Sequence, residues 1–140
     1  MATGMSSLKE INAAFAILKA KTNKIALLHC ISAYPTKEED ANLSAIGMLK
    51  EKFDCVVGQS DHTADIAVPL YAVAAGAQII EKHYKIDKNM ACVDEPVSIT
   101  EEQMSKFVIE VRRLERILGS DKLEMRNAEL NSKIFRRCAK

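Results

Sequence analysis

The sequence predicts an α/β protein whose strands run parallel. Three short apolar runs begin at Ile25, Cys55 and Ile79, each ends in polar or imidazole groups, and helical patterns lie between and after them. Short, continuously apolar strands are typical of buried parallel sheets. The rhythm fits a doubly wound sheet or part of a (β/α)8 barrel. A complete barrel takes about 250 residues, so this chain would hold a partial TIM barrel of about three to four βα units.

The amino-terminal half alternates helix and strand. Ser7 and Glu10 form a capping box that opens a helix running to about Ala20. The first strand is the apolar run 25–28, ending at His29 and Cys30, and a polar loop then leads to a second helix. The apolar faces of these helices comprise Leu8, Ile11, Phe15 and Leu18, and Leu43, Ile46, Leu49 and Phe53.

Two further strands and a helix follow. The second strand begins at Cys55, and a mostly apolar helix covers 66–75 with Gly76 as its stop. The third strand covers 78–81 and precedes a long irregular stretch, 85–98. The segment from the first helix to this stretch therefore contains all the predicted strands.

The carboxyl-terminal part holds one long helix and a tail. Thr100 and Gln103 form a second capping box, and the helix that it opens ends at Gly119. Residues 1–119 would then be the barrel portion. Residues 120–140 are polar and basic, and we expect a loosely ordered linker toward a further domain.

Composition excludes several classes of protein. The apolar fraction of 48% is that of a globular protein, and a net charge of +1 argues against a dedicated nucleic-acid or membrane surface. No leader or membrane-spanning run is visible. The cysteines, which are widely spaced, would be reduced thiols in a cytoplasmic protein. They are Cys30, Cys55, Cys92 and Cys138.

Two histidines at strand ends give the best functional lead. His62 follows the second strand and His83 the third, and the carboxyl ends of neighbouring parallel strands face the same mouth. We place His62 between a strand end and a helix start, where a neutral imidazole is favoured. Both rings could hold one divalent metal with open positions for substrate oxygens. The alternative, that neighbouring carbonyls satisfy both rings, stays open.

The neighbouring polar residues have two interpretations each. Ser60 and Thr63 either donate to a phosphate at the helix start or simply cap that helix. Glu81 ends an apolar strand, so it is either a catalytic acid, base or orienting group, or a partner of Lys82.

The other polar candidates carry less information. We interpret His29 as structural. Asp94 and Glu95 lie in the long loop, where a substrate clamp would sit or where carboxylates are simply solvated.

Five ordered blocks of sequence resemble one enzyme family. The resemblance is to the sialic acid synthases, that is, N-acetylneuraminate synthase and its relatives for other nonulosonic acids, and it runs from Gly4 to about Gly119. The blocks are GMS at 4–6, LLHCISAYP at 27–35, EDANL at 39–43, GQSDHT at 58–63 and IEKHY at 80–84.

The resemblance implies a (β/α)8 barrel of which this chain matches the carboxyl-terminal part, from the end of strand five to strand eight. It implies an enzyme that condenses phosphoenolpyruvate with N-acetylmannosamine or a related amino sugar and releases phosphate. It also implies a divalent metal, Mn²⁺ or Mg²⁺. The residues implied are His62 and His83 for the metal, Ser32, Tyr34 and Ser60 for the substrate pocket, Glu81 beside the reacting carbons, and Asp94 for the sugar hydroxyls.

Two departures from the family pattern leave questions open. Residues 90–96 read MACVDEP where the family carries a Pro-Gly-Pro-Asp-like run, so a pseudaminic or legionaminic acid synthase is an alternative. The first half of the barrel is unmatched, as is the small antifreeze-like domain that reaches into a partner's site in what would be a homodimer. We therefore expect this chain alone to be inactive, and a non-catalytic piece that binds metal or phosphate is the other alternative.

Overall fold

The computed structural model describes residues 1–137. Helices and strands alternate through the first 118 residues, with three short 3₁₀ helices in addition. The 3₁₀ helices are Glu38–Asp40, Glu95–Val97 and Asn127–Phe135. The main elements are α1 (Leu8–Lys19), β1 (Ala26–Cys30), α2 (Ser44–Lys52), β2 (Val56–Asp61), α3 (Ala67–Ala74), β3 (Ile80–Lys82) and α4 (Glu101–Leu118).

The three strands form one parallel sheet in the order β1-β2-β3. The register places Ser60 beside Cys30 on one side and beside Glu81 on the other. A further parallel bridge joins Ala2 to Leu28, so the first residues lie alongside β1. The predicted α/β class with parallel strands is confirmed.

The hydrophobic core lies between the sheet and the helices. Leu27 and Val57 contribute from neighbouring strands and are fully buried. Because side chains alternate along a strand, the residues next to Leu27 and Val57 in each strand point to the opposite face of the sheet, the open face. There Leu28 is half-buried and Glu81 is exposed. The core cluster comprises Ile11, Leu27, Ile46, Leu49, Phe53, Val57, Ala72 and Ala77.

Both predicted capping boxes are present, at the starts of α1 and α4. The predicted stops are also found, because Gly76 and Gly119 adopt positive φ angles of 101° and 62°, which glycine reaches without strain. The helix and strand boundaries confirm the predicted order of elements.

β1 ends at Cys30, as predicted. Two other boundaries differ from the prediction. β3 is Ile80–Lys82 rather than 78–81, because Gln78 and Ile79 only make the entering hydrogen bonds to β2. In the tail, Asn127–Phe135 forms a 3₁₀ helix, although it is exposed throughout.

The predicted reduced thiols are found at the three cysteines that the structure describes. Cys30, Cys55 and Cys92 are free thiols. The fourth predicted thiol, Cys138, and the last residues of the basic tail lie outside the described residues. Within residues 1–137, no helix combines the length and the apolar character needed to cross a membrane. The division between 1–119 and 120–140 stays a prediction.

Candidate functional site

The two strand-end histidines lie side by side. Asp61 and Lys82 are register partners at the ends of β2 and β3, so the next residues, His62 and His83, are neighbours as well. Their ring centroids are 5.3 Å apart with an angle of 59° between the ring planes. His62 is buried, whereas the His83 side chain keeps 31% of its surface exposed. The predicted pairing of the two rings in one mouth is therefore what the structure shows.

His62 is held on both ring nitrogens. Its Nδ1 lies 2.8 Å from the carbonyl oxygen of Ile31, which can only accept, so Nδ1 carries the proton. Nε2 then accepts from the Tyr34 hydroxyl at 3.0 Å. The Tyr34 ring stacks on the imidazole at a centroid distance of 4.1 Å. In the same tautomer Nε2 carries a lone pair, so Nε2 is the nitrogen that a metal would bind.

His83 is held more loosely. Its Nδ1 lies 3.6 Å from Oδ2 of Asp94, which is an ion-pair distance and too long for a hydrogen bond. The Tyr34 ring meets His83 edge-on at 5.8 Å. Asp94 comes from the irregular loop after β3, so the loop reaches the histidine pair, as a substrate clamp would.

The donor set fits a divalent metal with open positions. Each histidine turns Nδ1 toward a protein acceptor, an arrangement typical of metal-ligating imidazoles. A metal on His62 would require the Tyr34 hydroxyl to turn aside. Across residues 1–137, no group of three or more His, Cys, Asp or Glu side chains converges on one point. The described residues thus offer two neighbouring imidazoles as candidate ligands.

Ser60 and Glu81 form a hydrogen-bonded pair on the same face of the sheet. The Ser60 hydroxyl donates to Oε1 of Glu81 at 2.6 Å. Glu81 itself is exposed. It is also not paired with Lys82, because adjacent residues of a strand point to opposite faces. Glu81 is available to a ligand on the open face.

Other polar candidates have different partners from those predicted. Neither Ser60 nor Thr63 caps α3: its N-cap, Ile66, has no side-chain acceptor, and the Ala67 N–H at its start donates to Oδ1 of Asp65 at 2.7 Å. The Thr63 hydroxyl donates to Asp61 at 2.8 Å. His62 is likewise not at a helix start, since α3 begins only at Ala67. The hydroxyls of Ser60 and Thr63 therefore bond to residues of β2 and β3 and not to the start of α3.

Ser32 and His29 lie beside the site rather than in it. The Ser32 hydroxyl is exposed and 3.8 Å from Sγ of Cys30, which in turn is 3.9 Å from Nδ1 of His62. His29 is buried, and its Nε2 donates to the carbonyl of Ala41 at 2.8 Å. The structural interpretation of His29 agrees with this contact.

A buried ion pair beneath the histidines was missed from the sequence. Nζ of Lys82 lies 2.7 Å from Oδ2 of Asp61, and both side chains are only 1% exposed. Gln59 also donates to Asp61, at 3.1 Å. The available signal was a charged residue directly before the histidine in both GQSDHT and IEKHY.

Comparison with known proteins identifies the family. The model of the NeuB family matches residues 1–123. The chain belongs to the NeuB family. It is 38% identical over 138 residues to the pseudaminic acid synthase of Campylobacter jejuni, covering 98% of this chain and 40% of that protein. It is 33% identical over 131 residues to human N-acetylneuraminate-9-phosphate synthase, covering 93% of this chain and 36% of that protein.

A longer protein of known structure has the same fold as this chain over the residues that they share. The N-acetylneuraminic acid synthetase of Leptospira borgpetersenii matches with a TM-score of 0.91 and 43% identity, over 96% of this chain and 47% of that chain. This likeness confirms the partial barrel. The chain spans roughly two fifths of the length of the curated relatives, 36% and 40% of the two named above. Which part of their length it represents stays a prediction.

Proposed function

We propose that this NeuB chain supplies one wall of the active site of a nonulosonic acid synthase. The reaction condenses phosphoenolpyruvate with N-acetylmannosamine or a related amino sugar. A bond forms between the enol carbon and the aldehyde carbon, whose oxygen takes up a proton. Water then adds to the carbon that carries the phosphate group and loses one proton. The bond between that carbon and the phosphate oxygen breaks as the new hydroxyl becomes a carbonyl, and the hydroxyl proton goes to the phosphate. The products are the sugar acid and inorganic phosphate.

One observation carries this proposal. His62, His83 and Tyr34 meet within ring-centroid distances of 4.1 to 5.8 Å at the carboxyl ends of adjacent parallel strands. Barrel enzymes place their chemistry at this edge. The relatives over the same residues are named as synthases of sialic, pseudaminic and legionaminic acids. Site and family therefore favour the same class of reaction.

His62 and His83 are the residues that would hold a divalent metal. When bound there, the metal would supply Lewis-acid polarisation of a substrate oxygen. Two imidazole ligands favour Mn²⁺ over Mg²⁺, because Mg²⁺ prefers oxygen ligands and keeps its waters. The preformed Nδ1 contact of His62 would orient its ring for this role.

The remaining residues would bind and position the substrates. Glu81, already accepting from the Ser60 hydroxyl, would exchange a proton with a substrate oxygen on the open face. The Tyr34 hydroxyl, once turned away from His62, and the Ser32 hydroxyl beside the site would donate to substrate oxygens, while Ser60, whose proton goes to Glu81, would hold that carboxylate in place. Asp94, at the loop that reaches His83, would accept from sugar hydroxyls. The loop sequence differs from the family pattern, so pseudaminic- or legionaminic-type acceptors stay alternatives.

Mn²⁺ binding to the chain tests the metal site. Electron paramagnetic resonance of free Mn²⁺ gives the dissociation constant for the wild type and for His62→Ala and His83→Ala. Each substitution should weaken binding at least about tenfold, because one of two nitrogen ligands is lost. His29→Gln is the matched control, because His29 bonds only to the Ala41 carbonyl among described residues. Equal affinity in all four proteins would refute the site.

Phosphate release tests the reaction. We expect the 140 residues alone to release no phosphate from phosphoenolpyruvate, and the product of the complete reading frame to do so only with an acceptor sugar. Acceptors of the sialic, pseudaminic and legionaminic type are compared in parallel, and the fastest assigns the substrate. If the complete protein releases phosphate with none of them, the synthase proposal fails. A metal-binding, non-catalytic role would then be the remaining interpretation.

A further inference from the structure

We propose that Asp61 and Lys82 are positioning residues that hold the two candidate metal ligands in place, an inference that rests on the function proposed above. They are the last residues of β2 and β3, and they are register partners across the parallel ladder. Each directly precedes one of the histidines. A bond between their side chains therefore ties the two histidine-bearing strand ends together.

The contacts of Lys82 bracket His62 on both sides. Its ammonium group donates to Oδ2 of Asp61, the residue before His62, at 2.7 Å. It also donates to the backbone carbonyl of Thr63, the residue after His62. A cation from β3 thus binds the side chain of the residue before the candidate ligand and the backbone of the residue after it.

The Asp61 carboxylate is fully engaged in the same arrangement. Oδ1 accepts from Nε2 of Gln59 at 3.1 Å, and Oδ2 accepts from the backbone N–H and hydroxyl of Thr63 at 3.2 and 2.8 Å. Together with Lys82 this makes four donors on one carboxylate. Such saturation fixes the side chain, so the turn after β2 has little freedom at this point.

Alternation along the strands separates the pair from the ligands. Asp61 and Lys82 point to the helix side of the sheet, where both are 1% exposed, while the histidines point to the other face. Replacing a buried ion pair by apolar groups of similar size is often neutral for stability. Stability alone therefore does not account for this pair, whereas fixing the spacing of His62 and His83 does.

The central test is the double variant Asp61→Asn/Lys82→Met, which removes both buried charges together and leaves neither unpaired. Long-range ¹H–¹⁵N spectra of the histidine rings report the His62 tautomer without any metal. We expect the wild type to show the Nδ1-protonated form and the double variant a mixture. We also expect the Mn²⁺ dissociation constant to rise about 10- to 100-fold, the usual effect of losing a group that orients a ligand.

The control variant is Arg112→Gln/Glu115→Gln, which removes an exposed ion pair of α4 with an oxygen–nitrogen distance of 2.9 Å. It should leave both measurements unchanged. If the double variant does not melt cooperatively, Asp61→Asn/Lys82→Gln is measured instead, since it also removes both charges together and keeps an acceptor for the Thr63 hydroxyl.

The outcomes separate the two proposals. A folded variant that keeps the wild-type tautomer and binds Mn²⁺ within about twofold of the wild type overturns the positioning role. If the wild type binds no Mn²⁺, the metal site of the proposed function fails. The tautomer comparison alone then decides the present inference.

Discussion

Gly58, in the middle of β2, allows two strands to approach more closely than any side chain would permit. A Cβ at this position would lie 2.3 Å from the carbonyl oxygen of Ile79 and 2.8 Å from the side chains of Ile79 and Leu28. The nearest obstacle is backbone, so it cannot rotate away. Gly58→Ala should therefore force β3 away from β2.

The cost of this separation follows from the contacts around Gly58. Ordinary contact requires at least 3.4 Å, so the strands must part by about 1 Å. Two hydrogen bonds flank the glycine, from Gln59 N to Ile79 O at 2.8 Å and from Gln78 N to Val57 O at 2.9 Å. Overpacking costs about 1–3 kcal/mol and each weakened hydrogen bond about 0.5–1.5 kcal/mol. The free energy of unfolding should fall by about 2–6 kcal/mol in total.

Urea unfolding followed by circular dichroism measures this loss. Gly47→Ala is the matched control, since Gly47 lies within α2 and a Cβ there meets nothing within 4 Å. Alanine should stabilise that helix by about 0.5–1 kcal/mol. The same substitution is thus expected to act in opposite directions at the two sites. If Gly58→Ala unfolds at the wild-type urea concentration, the close approach of β2 and β3 is refuted.

Two further predictions concern titratable groups. Hydrogen bonds from the Ser7 hydroxyl and backbone N–H hold the pKa of Glu10 below its ordinary value of 4.5. The ionised carboxylate therefore stabilises the folded state fully above pH 4.5, and this stabilisation is lost as the pH falls through the lowered pKa. The stability difference between wild type and Glu10→Gln, which keeps the capping geometry without a charge, should shrink between neutral and acid pH, and a constant difference would contradict this. Burial raises the pKa of the Cys55 thiol, whereas Cys92 is exposed in the loop. Iodoacetamide at about pH 8 should alkylate Cys92 before Cys55, because the thiolate is the nucleophile; peptide mass spectrometry checks the order of these two, and faster labelling of Cys55 would overturn it.

The order of elements could be predicted because each signal was local. The capping boxes at Ser7 and Thr100 act within one helical turn, and Gly76 stops a helix through its own backbone conformation. The apolar runs marked the strands, and their polar ends marked the edge that carries His62 and His83. The spacing of the two histidines left open whether they bind a metal, and the roles assigned to individual residues came from the family resemblance.

The contacts that organise the site could not be predicted from local signals. Asp61 and Lys82 meet only because β2 and β3 pair in one particular register, which no neighbouring residue reveals. One of the two interpretations of Glu81 paired it with Lys82 or another cation, yet adjacent strand residues point to opposite faces. The contact of the Tyr34 hydroxyl with His62 likewise depends on how the loop after β1 folds over β2.

The Tyr34 hydroxyl donates a hydrogen bond to Nε2 of His62, the nitrogen that a metal would use, so this hydroxyl competes with a metal for the same atom. A net hydrogen bond contributes about 0.5–1.5 kcal/mol. If His62 holds a metal as proposed, only the molecules whose tyrosine has turned aside are competent to bind it. The apparent affinity then equals the intrinsic affinity multiplied by that competent fraction, which lowers it by as much as about tenfold. A substrate that draws the hydroxyl to itself would remove this penalty, so metal and substrate would bind with positive cooperativity through a single phenol group.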